Sequence, residues 1–568
     1  MQPQLNGGDA LVEVLCRHGI ENVFCSPGSE WPSVWETLAR RHAQKEKAPA
    51  YINCRHEALA VGAASGYTRV TGRTQAVLLH TGVGIINAAL CIRAAYHEHI
   101  PMLICTGEGI AFGEDPNAHD PGRHWLVQLA DEDHPAALVA PYVKWHGEVK
   151  SPHTLVGTLE QALQIANSAP QGPVAVSIPF ELLMGPVDPA TLARHQACEI
   201  APAVASEEAL QQVAEALLEA KDPIILTEYA GQEPGAMAAL TRLAELLNCP
   251  VMEPAGCSFV NFPTTHPLYL WPEPEAVAGA DVALLVGISA PWHPIRKQPA
   301  NARVIALDSY FPKSCLPYLG YSSHLAIPTP VTPALKRLLG ILEVDRRTRP
   351  SPEKRARWEQ LHHRQRQSLD AQAQAESRQV GTISPRWLCH TIDRVLPQDA
   401  IVFQEVTVHR WLVHNYLRRT QPGTFFGRIA GGLGVSLVNA VGIKLAAPGA
   451  VSVALVGDGA FHYNPTLACF GMAQEYDLPM LVVVFDNESY AAMKRGLVES
   501  FPTGWAQQTK TFYGAGIVPR PDYAALARAY GGYGVCVQEP KELEHALREA
   551  LDQVREGKLA LVDVLLRG

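Results

Sequence analysis

The sequence predicts an α/β fold with three doubly wound domains, each built around a parallel sheet. Short apolar runs are followed repeatedly by Gly, Ser or Asp and then by a stretch of helical periodicity. Continuous apolar strands that alternate with helices are typical of a parallel sheet covered on both faces. The pattern returns in three parts of the chain, and 568 residues are enough for several domains with large cores.

Each of the three parts contributes its own strands, which we take in chain order. The predicted strands are 22–25, 76–79 and 101–105 in the first part, 222–227, 281–286 and 303–307 in the second, and 400–403, 451–456, 480–485 and 559–564 in the third. Because these runs are apolar, we expect them to be buried on both faces of their sheets.

Two irregular stretches indicate where the domains separate. Residues 189–204 show little regular periodicity, and residues 344–380 are charged and rich in Gln. We therefore predict an N-terminal domain at 1–187, a middle domain at 200–343, a charged linker at 344–384 and a C-terminal domain at 385–568. Arg and Lys residues cluster near the start of the linker, where they indicate the solvated face of a helix, with a regulatory anion site as the alternative.

Composition excludes several classes of function. The 47 basic and 56 acidic residues give a formal charge of −9, and no basic run is long enough to follow a phosphate backbone, so nucleic acid is not an expected partner. The N-terminus lacks an apolar signal core, and no run of about 18 apolar residues occurs, so we expect no membrane partner and a cytoplasmic location. The 12 cysteines are scattered without a Cys-x-x-Cys pair, which favours reduced thiols.

Polar residues follow two predicted strands of the third part at the points where the strands end. They are Gly457, Asp458 and Gly459 after the strand at 451–456, and Asp486, Asn487, Glu488 and Ser489 after the strand at 480–485. Carboxylate and amide oxygens at the carboxyl ends of parallel strands suit a Mg²⁺ ion that bridges to a phosphate, and the two glycines allow the backbone to approach that phosphate. The alternative is a pair of ordinary polar turns.

These residues resemble the fingerprint of thiamine-diphosphate-dependent enzymes, in which Gly-Asp-Gly is followed some thirty residues later by Asn. The chain resembles that family from about Leu11 to Leu565, and most strongly benzoylformate decarboxylases and related 2-oxo acid decarboxylases and carboligases of the acetolactate synthase-like superfamily. Further matching segments are 26–29, 56–67, 79–81, 143–145, 169–174 and 431–434. The resemblance implies that the three domains are a pyrimidine-binding, a middle and a diphosphate-binding domain.

The resemblance also assigns the residues that bind the cofactor. Asp458, Asn487 and the backbone carbonyl of Ser489 are the implied metal ligands, and Thr407, Gly457, Gly459 and Ala460 are the implied neighbours of the diphosphate. Glu57 is implied to favour the imino tautomer of the aminopyrimidine, which then removes the proton from thiazolium C2. Leu433 is implied to separate the two rings, and the carbonyl of Gly431 to accept from the amino group.

Three further residues are implied to act on the substrate. Ser29 is the implied contact of the substrate carboxylate, and His80 and His293 are the implied proton-transfer residues, since histidine titrates near neutral pH. A structural role for either histidine is the alternative. Between His119 and His134 the chain carries several His, Asp and Glu residues, which we interpret as a polar substrate-facing or solvent loop, with a metal site as the alternative.

The implied function is thiamine-diphosphate- and Mg²⁺-dependent decarboxylation of a small-molecule 2-oxo acid through a C2 carbanion and an enamine. A carboligase or acyloin synthase shares every step up to the enamine and is the first alternative, with a 2-hydroxyacyl-CoA lyase as another. A catalytically silent cofactor-binding subunit is a more distant one, although both Glu57 and the metal ligands are present. The family also implies self-association as a homodimer or homotetramer.

Overall fold

The protein is described by a computed structural model. The structure describes residues 5–109, 126, 129, 131–198, 200–254, 256–314, 316, 320–345, 347, 351–378, 381–427 and 432–566. Within these residues no helix combines the length and the hydropathy that are needed to cross a bilayer.

The described residues form three six-stranded sheets in which every strand pair is parallel. The first sheet has the order β2-β1-β3-β4-β6-β5, with β1 Asn22–Cys25, β2 Ala50–Asn53, β3 Gln75–Leu79, β4 Met102–Glu108, β5 Trp145–Glu148 and β6 Pro173–Pro179. The second has the order β12-β11-β10-β7-β8-β9, with β7 Pro223–Thr227, β8 Val251–Met252, β9 Tyr269–Leu270, β10 Val282–Val286, β11 Arg303–Asp308 and β12 Leu325–Pro328. The third has the order β14-β13-β15-β16-β18-β17, with β13 Ile401–Glu405, β14 Phe425–Phe426, β15 Ser452–Gly457, β16 Met480–Asp486, β17 Tyr533–Val537 and β18 Ala560–Leu565.

Helices connect the parallel strands in each sheet. In the first part they are α1 Gly7–Arg17, α2 Pro32–Gln44, α3 Glu57–Thr71, α4 Thr81–His97, α5 Leu155–Asn167, α6 Phe180–Met184 and α7 Pro189–Arg194. In the second part they are α8 Glu207–Glu219, α9 Ala236–Leu247, α10 Pro274–Ala278, α11 Val331–Val344 and α12 Pro352–Glu376. In the third they are α13 Pro385–Val395, α14 Arg410–Tyr416, α15 Ser436–Ala446, α16 Asp458–Phe461, α17 Thr466–Glu475, α18 Ala491–Ser500, α19 Trp505–Thr509, α20 Tyr523–Ala529 and α21 Pro540–Arg555.

The predicted α/β fold class is confirmed, and all ten predicted strands are present to within a few residues. Eight of the eighteen strands in the described residues were not predicted, and two physical reasons account for five of them. β2 and β5 are half-buried edge strands, so they lack the continuous apolar run on which the prediction relied. β8, β9 and β14 have two residues each, which is too short for any periodicity to be read.

The chain divides into two compact units. The first comprises residues 1–201, 429–449 and 462–478, and it contains the first sheet together with α15 and α17. The second comprises residues 202–428, 450–461 and 479–568, and it contains the second and third sheets. Each sheet is surrounded by its own buried apolar cluster. The bounds of the four segments that we assigned from the sequence stay predictions.

The charged segment after the middle domain forms the 25-residue helix α12, which buries Trp358 and His362. Basic side chains of this segment are paired with carboxylates at the surface. Arg347 pairs with Glu215 at 2.8 Å, and Arg355 pairs with Glu359 one turn along the helix at 2.8 Å. Such pairs are typical of a solvated helix face.

Helices α3 and α15 approach each other closely in the first unit because glycines face the contact. A Cβ atom added at Gly62 would overlap the side chain of Val438, and one added at Gly66 would overlap the backbone of Asn439. From the other helix, a Cβ atom at Gly442 would overlap the backbone oxygen of Ala63. The backbones therefore occupy the space that side chains would fill in an ordinary helix pair.

Replacing Gly442 by Ala should destabilise the protein although alanine is the better helix former. The backbone at Ala63 cannot yield as a flexible side chain would, so we expect a loss of about 1–3 kcal/mol, measured as a lower denaturant midpoint. Gly340, which lies in α11 with open space around its Cα, is the matched control. Gly340→Ala should raise the midpoint slightly. Equal effects of the two substitutions would contradict the packing argument.

Candidate active site

Asp458 lies at the carboxyl end of β15, at the centre of the third sheet, and begins the short helix α16. Its side chain is 3% exposed. Oδ1 accepts from the amide of Gly459 at 2.8 Å, and Oδ2 accepts from the amides of Asn487 at 3.3 Å and Ser489 at 3.0 Å. Backbone amides therefore hold this carboxylate in one orientation.

The turn after β16 lies next to the carboxylate of Asp458. Glu488 adopts the left-handed conformation with φ of 53°, and its amide donates to Asp486 at 3.0 Å. This turn brings the amide of Ser489 within 3.1 Å of Asn487 Oδ1 as well as within 3.0 Å of Asp458 Oδ2. The carboxylate and the amide oxygen are consequently neighbours, as the sequence spacing predicts.

This group of oxygens suits a hard divalent cation. Burial, together with the nearby carboxylate of Asp486, raises the pKa of Asp458 to about 7. Arg520 compensates Asp486 through an ion pair of 2.5 Å, whereas Asp458 has no ion-pair partner among the described residues. A buried carboxylate with neighbouring amide and carbonyl oxygens and an uncompensated charge is the donor set that Mg²⁺ takes. The residues present therefore fit the implied metal.

The implied neighbours of the diphosphate lie around the same strand ends. Thr407 is exposed in the turn that follows β13, the strand paired with β15. Ala460 is buried in α16, and Gly457 has open space where a Cβ atom would stand. Gly459 differs, because a Cβ atom there would press against the ring of Tyr490. The glycine at 459 is thus required by packing within the protein itself.

Glu57 begins α3 in the first unit. His56 caps the helix, since its Nδ1 accepts from the amide of Ala58 at 3.1 Å. The Glu57 carboxylate accepts from Nδ2 of Asn87 on α4 at 2.5 Å, and its side chain is 21% exposed. One carboxylate oxygen is therefore held by the protein, while part of the group faces outward.

Leu433 lies in the turn before α15, also in the first unit, and is half-buried. The next residue, Gly434, has φ of 102°, and a Cβ atom there would overlap the backbone oxygen of Tyr463. A glycine is therefore needed to let the chain turn at this point. Gly431 lies outside the described residues.

His80 and Ser29 lie at the carboxyl ends of the paired strands β3 and β1. Ser29 is exposed, and the side chain of His80 is 33% exposed. His80 Nδ1 lies 2.7 Å from Oε1 of Glu30, which is completely buried. The carboxylate of Glu30 raises the pKa of His80, against the opposing effect of burial.

Glu30 is a residue that the sequence analysis missed. It directly follows Ser29, and a Cβ atom at Gly28 would overlap its carboxylate. An acidic residue next to a predicted strand-end serine was the available signal, but only the pairing of β1 with β3 brings it to His80. The second missed group is the carboxylate of Glu108, at the end of β4. Burial and the surrounding carboxylates raise the pKa of Glu108 to about 8.

The acidic residues after the undescribed part of the loop cap the start of α4. Asp131 accepts from the amide of Gly82 at 2.9 Å, and burial raises the pKa of Asp131. Thr81, which precedes this amide, has φ of 24°, so the backbone next to His80 is strained. His119 and the rest of 110–125 lie outside the described residues, so the interpretation of that loop stays a prediction.

His293 lies in the second unit, in the segment that follows β10, and is exposed. The neighbouring Trp292 is 7% exposed and packs edge-on against Tyr321. The structure therefore places Ser29 and His80 together on one sheet edge and His293 on a different sheet. Its assignment as a proton-transfer residue stays a prediction.

Comparisons with known proteins match three family profiles to the chain. The N-terminal thiamine pyrophosphate binding domain of thiamine pyrophosphate enzymes matches residues 5–131, the central domain of these enzymes matches residues 210–313, and their C-terminal thiamine pyrophosphate binding domain matches residues 405–564. Together the matches cover well over half of the chain and include Ser29, Glu57, His80, His293 and the predicted metal ligands.

Curated relatives match over nearly their whole length. Acetolactate synthase isozyme 3 large subunit of Escherichia coli is 27% identical, with 99% of this chain and 95% of the relative covered. Benzoylformate decarboxylase of Pseudomonas aeruginosa is 27% identical, with 95% and 96% covered. Sulfoacetaldehyde acetyltransferase of Castellaniella defragrans is 26% identical, with 99% and 93% covered.

Among solved structures, the thiamine diphosphate-dependent 4-hydroxybenzoylformate decarboxylase of Rhodococcus jostii RHA1 has a TM-score of 0.81. It is 22% identical, and 99% of both chains are covered. At this identity the likeness shows the fold alone, and it agrees with the three α/β sheets described above.

Replacing Glu30 by Gln should lower the pKa of His80, because the neutral amide no longer stabilises the imidazolium. A neighbouring opposite charge is typically worth about one pKa unit or more, so the titration midpoint should move to lower pH by that amount. The measurement is the imidazole titration of His80 by NMR. The control is Glu36→Gln, an exposed carboxylate on α2, which should leave the midpoint unchanged. An unshifted midpoint in Glu30→Gln would show that the pair does not form in solution.

Proposed function

We propose that this chain, which belongs to the thiamine pyrophosphate enzyme family, decarboxylates a 2-oxo acid with the help of Mg²⁺. Its cofactor is thiamine diphosphate, and Mg²⁺ is the usual partner metal in this family. When bound, the cofactor supplies a nucleophilic carbon and an electron sink for the bond next to the keto group. The protein has to bind the cofactor, position a base and transfer protons to and from the substrate.

Asp458 and Asn487 hold the metal in this proposal. Their oxygens share the amide of Ser489 as a hydrogen-bond donor, at 3.0 Å and 3.1 Å, so both are oriented before any ion arrives. The backbone carbonyl of Ser489 is the third protein ligand. Thr407 and the start of α16 bind the diphosphate at the same end of the third sheet, where α/β sheets bind ligands.

Glu57 holds a negative charge beside the aminopyrimidine. The hydrogen bond from Asn87 at 2.5 Å fixes one of its oxygens and leaves the other for a ring nitrogen. A carboxylate in this position favours the tautomer that can act as a base. Leu433, before α15, is assigned to the contact between the two rings.

The observation that carries the choice of decarboxylation is the ion pair of His80 with the buried Glu30, at 2.7 Å. Because Glu30 raises the pKa of His80, the imidazolium persists to higher pH, and a protonated imidazole is a ready proton donor. Ser29, at the end of the adjacent strand, is assigned to the substrate carboxylate. A protonated donor on the substrate side favours release of an aldehyde.

Carboligation is the second candidate, because a relative named acetolactate synthase matches as fully as the decarboxylase does. A carboligase needs space for an acceptor in place of rapid protonation. Self-association as a homodimer or homotetramer and the role of His293 stay predictions of the family resemblance. The cytoplasmic location stays a prediction from the sequence.

The two candidates are separated by one assay. The purified protein with thiamine diphosphate and Mg²⁺ is given a panel of aromatic and aliphatic 2-oxo acids, and both CO₂ and the organic product are identified. The proposal expects CO₂ and an equal amount of the corresponding aldehyde. Acyloin or 2-hydroxy-3-oxo acid products would establish the carboligase. Absence of CO₂ from every 2-oxo acid in the panel would refute decarboxylation.

Asp458→Asn should weaken cofactor binding while it preserves the fold. The amide keeps an oxygen that accepts from the backbone, but it removes the charge that faces the metal, so we expect thiamine diphosphate affinity in the presence of Mg²⁺ to fall by more than about tenfold. Calorimetric titration gives the affinity. Asp552→Ala, on the exposed face of α21, is the control. Wild-type affinity in Asp458→Asn would contradict the assignment.

Glu57→Gln should leave cofactor binding largely intact and slow the exchange of its C2 proton. Loss of acid–base catalysis is typically worth about a hundred- to ten-thousandfold. The measurement is deuterium exchange at C2, followed by NMR after acid quench. His80→Ala is the matched comparison, because it should lower turnover without slowing that exchange. If Glu57→Gln exchanges C2 deuterium as fast as the wild type does, its proposed role is wrong.

A further inference from the structure

A thiol–imidazole pair lies in the second unit, outside the site discussed so far. Cys257 follows β8, and its Sγ is 2.9 Å from Nδ1 of His414 on α14. Cys257 is partly exposed, whereas His414 is 6% exposed. Of the other described cysteines, only Cys16 shares this intermediate exposure.

The opposite ring nitrogen of His414 is held by two further buried groups. Nε2 lies 3.1 Å from the hydroxyl of Tyr269 and 3.5 Å from Oε2 of Glu253. The same Tyr269 hydroxyl donates to Glu253 Oε2 at 3.1 Å, and Asn261 Nδ2 donates to Glu253 Oε1 at 2.6 Å. The imidazole is therefore oriented with Nδ1 toward the sulfur. Cys257 stands in the place of a nucleophile, His414 in that of its base, and Glu253 in that of the group that orients the base.

A metal site is the alternative interpretation of these three residues. Ligand atoms of Glu253, Cys257 and His414 lie within 4.8 Å of one another, which alone suits a cation. However, the thiol contacts Nδ1, whereas the carboxyl group contacts Nε2. The sulfur and the carboxylate thus contact opposite nitrogens of one ring, as in a chain of residues that passes a proton through an imidazole. The geometry favours proton transfer along the chain of residues.

A small cavity adjoins the pair. It has a volume of about 10 Å³, the space of a single water molecule. Cys257, His414 and Arg419 contribute to its lining. Arg419 is 2% exposed, and its Nη1 donates to the carbonyls of Pro397 at 3.3 Å and Ala400 at 3.4 Å. Its Nε and Nη2 have no hydrogen-bond partner among the described residues.

Unpartnered guanidinium donors in a buried cavity are suited to an anionic oxygen. A group with one added oxygen atom fits the volume, and a larger substrate does not. Burial raises the pKa of the Cys257 thiol and lowers that of His414 to about 4, so the resting pair is a thiol and a neutral imidazole. The neutral Nδ1 has a free lone pair for the thiol proton.

We propose that Cys257 is a peroxide-reactive thiol that His414 activates and whose oxidised form Arg419 stabilises. The Cys257 sulfur attacks one oxygen of hydrogen peroxide, an S–O bond forms, and the O–O bond breaks. The thiol proton passes to His414 Nδ1 and then to the departing hydroxide, which leaves as water. The sulfur loses the two electrons that the peroxide gains, and the product is a sulfenic acid whose oxygen occupies the cavity beside Arg419.

The test measures sulfenic acid formation in the native full-length protein. The native protein is treated with hydrogen peroxide, and at each time point a sample is unfolded in the presence of dimedone, so that the reagent reaches every cysteine. The labelled fraction of each cysteine is then measured by peptide mass spectrometry. Cys257 should be labelled at least about tenfold faster than Cys16, because only Cys257 has a histidine as base. Labelling of Cys257 no faster than that of Cys16 would overturn the proposal.

Variants show whether His414 activates the Cys257 thiol or whether Cys257 reacts only because it is exposed. His414→Gln should slow Cys257 labelling by about a hundredfold, and Tyr269→Phe, which keeps the ring but removes the contact to Nε2, should slow it several-fold. His390→Gln, a buried histidine on α13, is the matched control and should label at the wild-type rate. Thermal unfolding identifies variants that retain the fold. If His414→Gln does not fold, Tyr269→Phe decides the question.

Two results would contradict the assignment. One is a wild-type labelling rate in the folded variants at 414 and 269, which would mean that the histidine does not activate the thiol. The other is stoichiometric zinc in the purified protein that is lost in Cys257→Ser, which would mean that these residues form a metal site.

Discussion

The close contact between α3 and α15 is the constraint on which much of the first unit depends. Segment 436–446 lies far along the chain from the first sheet, yet the glycines at 62, 66 and 442 let its helix pack backbone against backbone on α3. Glu57 is the first residue of α3, so the position of its carboxylate depends on how this helix is held. A side chain at any of these glycines would displace the helix that carries the proposed base-positioning carboxylate.

Parallel strand pairing places the remaining functional groups. In the third sheet, the pairing of β15 with β16 brings Asp458 and Asn487 to one edge, although 29 positions separate them in sequence. In the first sheet, the pairing of β1 with β3 brings Ser29 and Glu30 to His80 in the same way. Strand ends are effective sites because the buried strands are rigid, while the turns that follow them are free to carry polar residues.

Buried charges give these sites their chemical character, and each is compensated differently. Three backbone amides hold Asp458, yet burial still raises its pKa, which leaves a carboxylate that a divalent cation would stabilise. Glu30 is compensated by His80, and this compensation keeps the histidine protonated to higher pH. In the second unit, two donors of Arg419 have no partner among the described residues, which makes the cavity beside Cys257 suited to an anion.

The sequence by itself determined the α/β class, most of the buried strands and the Gly-Asp-Gly and Asn turns, because these depend on local periodicity and on short motifs whose residues are consecutive. Its resemblance to a known family also gave the cofactor. It did not determine the edge strands β2 and β5, whose half-exposed residues lack an apolar run. The pairing of Glu30 with His80 and the chain from Cys257 through His414 to Glu253 were decided only by the tertiary structure. The contacting residues are separated by 50 to 161 positions in the sequence. A local sequence pattern cannot predict which strand ends and helices come together when the sheets pack.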